Sequence, residues 1–229
     1  MMKRILYVFA ILSFLFVSAH STPTDVRGGS WEYDVLVNGI LVGKSTISST
    51  ITNGQHVHQS DMTMTIGQVS TTTKQKVTET EKYTPVKFEI SVVTIYGTNK
   101  TTMETMATFD GKKVTLKTGE SVQTFTITRP FVLDGNYFYS ELVKNKFVKD
   151  SEASAYLYHP SIEAREPFKV TVKVLGKETV LIRDKQKNLI HVAFFMETIK
   201  QADYYLNDDG AAERIEQRFM NNTVELILK

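Results

Sequence analysis

Short turns ending in glycine recur between runs of alternating apolar residues, and this constrains the fold more than any other feature. In residues 31–44, WEYDVLVNGILVGK, the side chains of Trp31, Tyr33, Val35 and Val37 fall on one side of an extended chain. Asn38-Gly39 then supplies two residues that tolerate positive φ, and Ile40 to Val42 starts back. Asn53-Gly54 and Asp110-Gly111 repeat the device. Two-residue connections cannot cross over a sheet, so the strands that they join are antiparallel neighbours.

Taken in order, the alternation continues. His56, His58, Ser60, Met62, Met64 and Ile66 share one face of a third strand, and residues 71–82 form a threonine-rich, half-solvated fourth. Val86, Phe88, Ile90 and Val92 define a long strand after Pro85, and Met103, Thr105, Ala107 and Phe109 define the next. Val114 and Leu116 return from Asp110-Gly111, and a strand with Phe125 and Ile127 ends at Pro130.

Residues 134–146, DGNYFYSELVKNK, form the one helix, with Asp134 as N-cap and lysines at the C-terminal end; a long loop is the alternative. Tyr156-Leu157-Tyr158 is a run of β-formers. After Pro167, Phe168, Val170, Val172 and Val174 alternate, Leu175-Gly176-Lys177 turns, and residues 179–182 return. Ile190, Val192, Phe194 and Met196 form another strand. Residues 204–207 run into the turn Asp208-Asp209-Gly210, and two strands, 213–220 and 223–228, close the chain. The expectation is an all-β protein of eleven or twelve strands with one short helix: a curved antiparallel meander forming an open or half barrel. Strands 213–220 and 223–228 repeat the opening hairpin and are expected to curl back toward it.

The N-terminus reads differently. Lys3 and Arg4, an apolar run over residues 5–17 and the small residues Ser18 and Ala19 have the form of a secretory signal peptide, residues 1–19. The run is shorter than the ~18 to 20 residues that span a bilayer, so cleavage is favoured over an uncleaved anchor, and no transmembrane segment is expected afterwards. Residues 20–30 read as a flexible lead-in, and 31–229 as one β domain whose halves are joined by a helix-containing segment near 130–167. Removing Lys3 and Arg4 from the 27 basic residues leaves 25, matching the 25 acidic ones, so the net charge gives no electrostatic footprint for nucleic acid or for anionic lipid surfaces. With no cysteine, disulfides, thiolate chemistry and an acylated N-terminal cysteine are excluded.

In the C-terminal half, VTVKVLGKETV, LIHVAFFMETI, YYLNDDGAAERIEQRF and TVELIL, together with the opening YDVLVNGILVGKSTI and the segment LDGNYFYSELVKN, resemble uncharacterised bacterial exported all-β domains of unknown function. That group is architecturally similar to the bacterial lipoprotein carriers, in which a curved sheet forms an open barrel around an apolar cavity with helices as a lid. The resemblance implies that fold, a periplasmic or secreted location, a Gram-negative-type periplasm first, and a lipid-type ligand.

No catalytic constellation emerges: no Gly-x-Ser-x-Gly elbow, no phosphate-cradling loop and no cofactor motif. His56 and His58 point the same way but lack a third metal ligand, and read as a solvated pair beside Asn53-Gly54. His159 reads as a loop residue, His191 as lying on the polar face of its strand, and Glu79 with Glu81 as the wet face of theirs. The expectation is a protein without enzymatic activity, metal or cofactor. The residues suited to a variable acyl ligand are Met62, Met64, Ile66, Phe88, Ile90, Met103, Phe194 and Met196, because methionine adapts its shape. One-sided alternation serves a closed core equally well. Two functions follow: an envelope protein holding an apolar or lipid ligand in its concave sheet, or a structural protein binding an envelope partner through exposed strand edges.

Overall fold

The computed structural model describes residues 28–219 and 221–229, and the expected leader and lead-in up to residue 27 lie outside it. Fourteen strands form one antiparallel sheet. Eight run in succession: β1 (Gly29–Val37), β2 (Ile40–Thr52), β3 (Gln55–Ile66), β4 (Val69–Thr80), β5 (Pro85–Tyr96), β6 (Asn99–Asp110), β7 (Lys113–Thr118) and β8 (Ser121–Thr126). The helix α1 (Asn136–Lys144) follows, then β9 (Glu152–Leu157), β10 (Phe168–Ile182), β11 (Lys185–Met196), β12 (Ile199–Leu206), β13 (Ala212–Phe219) and β14 (Asn222–Leu228). The spatial order is β8 to β1, then β14 to β9, so every turn joins neighbours and the last strand returns to the first.

That return is the expected curl. Tyr33 pairs with Leu228 and Val37 with Val224. The turn residue Asn38 (φ 51) is tied to β14 as well: its Nδ2 donates to Asn222 Oδ1 and its Oδ1 accepts from the Thr223 amide, both at 2.9 Å. The edges β8 and β9 do not pair with each other, so the barrel stays open. A strap spans the opening. Ile127 donates to Lys112 O at 2.9 Å, Val132 donates to Tyr156 O and Tyr158 donates to Val132 O, and the Arg129 guanidinium lies 4.2 Å over the Tyr156 ring.

Three expectations are corrected in detail. The strands number fourteen, and polar segments such as 152–155 and 121–124 take part in the pairing. Leu175-Gly176-Lys177 does not turn: β10 runs through it with a bulge between Val174 and Gly176 (φ +115), and the reversal comes at Arg183-Asp184, both at positive φ. Glycine inside a strand marks a bulge as readily as a turn, and Arg183-Asp184 lacks the glycine that marks Asn38-Gly39, Asn53-Gly54 and Asp110-Gly111. The helix spans Asn136–Lys144 with Gly135 at the N-cap, although Asp134 Oδ1 still accepts the Asn136 amide at 2.7 Å.

Inward-facing side chains form two clusters. One joins Tyr33, Val35, Ile47, Met62 and Met64 to the C-terminal strands and to Phe138 and Leu142 of α1. The other packs Phe88, Ile90, Val92 and Val114 against Leu133 and Tyr158, which enter from the strap and from the end of β9. A smaller cluster of Leu36, Val180, Ile182, Leu189, Tyr205 and Ile227 lies apart from both.

Candidate functional site

The residues expected to line a ligand cavity mostly form core. Met62 and Met64 belong to the first cluster with Phe194, and Phe88 and Ile90 to the second, with Met103 half-buried against it. Met196 is half-buried at the end of β11, and Ile66 is 48% exposed at the β3–β4 turn, outside the interior. A pocket of about 40 Å³ under α1, lined by Phe138, Leu142, Val172, Phe194 and Tyr204 among others, is the space between helix and sheet. It has room for about one water.

The inner face of β3 and β4 holds what composition hid. His56 and His58 are 6% and 3% exposed, not a solvated pair, and Glu79 is 1% exposed, not on a wet face. Alternation places all three on the inner face, with His56 directly opposite Glu79, and the strap then covers them. Glu79 Oε1 accepts the Leu133 amide at 2.6 Å. Asp134, 2% exposed, directs Oδ2 toward His58 Nδ1 at 3.8 Å. Burial, reinforced by the Asp134 charge, raises the Glu79 carboxyl well above its usual range, which favours its protonated form.

The His56 ring stacks on Tyr83 at 4.9 Å. His159, expected in a loop, is in one yet fully buried, edge-on to Phe88, with Nε2 3.3 Å from Gln75 Oε1. Burial lowers its pKa to about 3, which leaves the ring neutral. Three contacts therefore clamp the strap and the end of β9 onto β4 and β3. Among the described residues, no cluster of three or more His, Asp or Glu is placed to hold a metal.

His191 does lie on a polar surface. Its Nδ1 is 2.8 Å from Glu178 and its Nε2 2.7 Å from Asp203, which raises its pKa, the Asp203 hydrogen bond first. Because its two nitrogens face different carboxylates, the ring joins β10 to β12.

The side-chain arrangement best suited to a ligand lies where α1 ends. The Phe147 amide donates to Leu142 O at 3.0 Å and the Lys146 amide to Val143 O at 2.9 Å, a Schellman closure. Its left-handed position, usually glycine, is Lys146 (φ 51), followed by Phe147 (φ 50) and, three residues on, Asp150 (φ 65). Non-glycine residues in this region are strained and gather at functional sites. The loop and the bulge of β10 bound an open cleft of about 780 Å³. Val143, Phe147 and Ile190 supply its apolar surface, and Lys144, Lys146, Lys149 and Lys177 surround it with one carboxylate, Asp208. Lys144 pairs with Glu141 and Lys177 with Asp208, whereas no ion pair engages Lys146 or Lys149 among the described residues. The Lys149 stem lies against the bulge, 3.4 Å from where a Cβ on Gly176 would sit, an ordinary packing distance.

A groove of about 640 Å³ over β3–β7 makes the contrast: Asp61, Lys74, Lys76, Glu89, Glu104 and Lys117 line it with both signs, which cancel. Sequence reasoning missed the lysine-rimmed cleft because its residues come from the helix end, the β10 bulge and the β12–β13 turn. The signal within reach was the lysine spacing at 144, 146 and 149.

No family model matches the sequence, and no curated protein does. Among solved structures, the chain is similar to a β-barrel-like protein of a domain of unknown function, DUF1849, from Brucella abortus, with a TM-score of 0.60 and 13% identity, covering 87% of this chain and 94% of that one. At that identity the likeness shows the fold, a β-barrel-like architecture, and fold does not carry function.

Proposed function

We propose that this is a non-catalytic protein of the cell envelope that binds an anionic amphiphile, a fatty acid or single-chain phospholipid, in the lysine-rimmed cleft at the end of α1. The observation that carries the reading is the pairing of the unengaged Lys146 and Lys149 with the apolar Phe147 and Val143 in a cleft of about 780 Å³. Apolar lining with a few convergent charges is the form of small-ligand sites. The leader-like N-terminus supports the envelope location, and the resemblance to exported domains supports a lipid-type ligand. The reading moves that ligand from the concave sheet, where Met62, Met64 and Phe194 are packed, to the outer end of the helix.

Mass spectrometry of lipid extracted from the purified protein, with titration of a fluorescent fatty acid, tests this. Wild type is expected to bind and Lys146→Gln/Lys149→Gln to bind at least tenfold more weakly at unchanged melting temperature. Equal affinity in both, or none in wild type, overturns it.

A second reading, a partner-binding envelope protein, is favoured by β8. This edge strand, SVQTFT, carries no charge or proline, and Val122 is 60% exposed. Such an edge accepts another strand. Crosslinking through Val122→Cys in cells would recover one partner if it holds and none if it does not.

A further inference from the structure

The meander places the β1–β2, β3–β4 and β5–β6 turns at one end of the sheet, side by side. Ile66 pairs with Val69 and Val69 with Tyr96, while Gly43 pairs with Met64, which brings Leu41 level with Ile66. At this rim large apolar side chains stand in solvent: Ile40 68%, Leu41 62%, Ile66 48%, Ile95 42% and Tyr96 57% exposed. Single exposed apolar residues are ordinary, but a contiguous set on adjoining turns marks an interaction surface.

The charge around it is one-sided. The three tips, residues 36–44, 64–70 and 94–101, hold no Asp or Glu, and their two charged residues are Lys44 and Lys100. No ion pair engages either lysine among the described residues. At the opposite strand ends, the turns carry Glu81, Lys82, Asp110, Lys112 and Lys113, of both signs. Apolar tips with an aromatic ring, flanked by lysine and free of acid, match the layering of a bilayer surface. There, aliphatic groups enter the acyl boundary, a tyrosine sits at the headgroups and lysine meets anionic lipid.

We infer that this rim docks the protein on an anionic phospholipid bilayer, with Ile40, Leu41, Ile66 and Ile95 entering the interface and Lys44 and Lys100 facing lipid phosphates. The inference is independent of the ligand cleft, since Asp208 of that cleft lies on the β12–β13 turn, at the other strand ends.

The test is an indole introduced by Tyr96→Trp, with vesicles of phosphatidylethanolamine and phosphatidylglycerol at 3:1 containing brominated lipid. Wild type, whose single Trp31 sits near the start of β1 at the other end, supplies the background. The introduced indole is expected to be quenched and blue-shifted, and adding Ile40→Ser/Leu41→Ser is expected to weaken vesicle partitioning by roughly tenfold or more. These positions are solvent-exposed, so a matching urea midpoint verifies folding of the variants. An unquenched indole, partitioning unchanged by the serines, or binding that persists on purely zwitterionic vesicles at high salt would each overturn the inference. So would a dimer that the serines dissolve in the absence of vesicle binding, because the rim would then serve a second copy of the chain.

Discussion

Replacing Glu79 with glutamine should make the protein more stable as pH rises, which reverses the usual cost of altering a buried charge site. Glu79 sits opposite His56 with 1% exposure, and its Oε1 accepts the Leu133 amide at 2.6 Å. Burial and then the Asp134 charge raise its pKa. The folded chain thus keeps a proton that the unfolded chain releases above about 4.5, the ordinary glutamate value. Stability from this group is greatest near and below that pH and declines as pH climbs toward the folded pKa, at no more than about 1.4 kcal/mol per pH unit for one proton.

Glutamine keeps the acceptor oxygen, stays neutral at every pH and removes that slope. Urea unfolding of wild type and Glu79→Gln from pH 4 to pH 8 should give near-equal stabilities at the acid end and a widening advantage for the variant above it. Glu79→Ala supplies the scale: it also lacks the titration but leaves the Leu133 amide without its acceptor, so its curve should run parallel to that of Glu79→Gln and about 1–3 kcal/mol below it. Parallel pH curves for wild type and Glu79→Gln would refute the protonated, clamped carboxyl.

Asn38→Val/Gly39→Val forces β-branched residues to φ of 51 and 77 and removes the Asn38 bonds to Asn222 and Thr223. It should cost roughly 2–4 kcal/mol in urea unfolding, and an unchanged midpoint would contradict the hairpin's role. His191 has the same sign at a higher pH: its folded pKa is raised, so its contribution is complete below about 6.5, the ordinary histidine value, and is lost as pH rises through the folded pKa. His191→Gln should flatten that part of the pH–stability curve, which parallel melts of the two proteins would read out. Gly43→Ala would bring a Cβ to 2.0 Å from Thr63 O, a backbone atom of the adjacent β3, and should destabilise by about 1–3 kcal/mol or more, seen as a lowered melting temperature. Phe88→Ala should cost about 3–5 kcal/mol, as expected of core.

Alternation and turn chemistry determined much of this protein on their own. Period-2 runs joined by Asn38-Gly39, Asn53-Gly54 and Asp110-Gly111 dictate antiparallel neighbours in chain order, because a two-residue connection has no reach to do otherwise. The all-β class and the one helix among the described residues follow from that local physics, whereas the pairing of the last strand with the first joins opposite ends of the sequence and is made only when the sheet curls. Ligand face and core remained indistinguishable at Met62 and Phe88, since either requires apolar side chains at every second position.

Tertiary structure decided the rest. Strand alternation says that His56, His58 and Glu79 share a face, but the strap from 127 to 135 decides that the face is dry, and a segment distant in sequence leaves no mark on β3 or β4. The Schellman closure and the β10 bulge bring Lys146, Lys149 and Lys177 to one cleft, which spacing along the chain does not encode. The apolar rim is built the same way: Leu41, Ile66 and Tyr96 lie 25 to 30 residues apart and become neighbours through strand register. Hairpins are chosen by contacts a few residues apart, whereas cleft, clamp and rim depend on which strands end beside one another when the whole sheet curls.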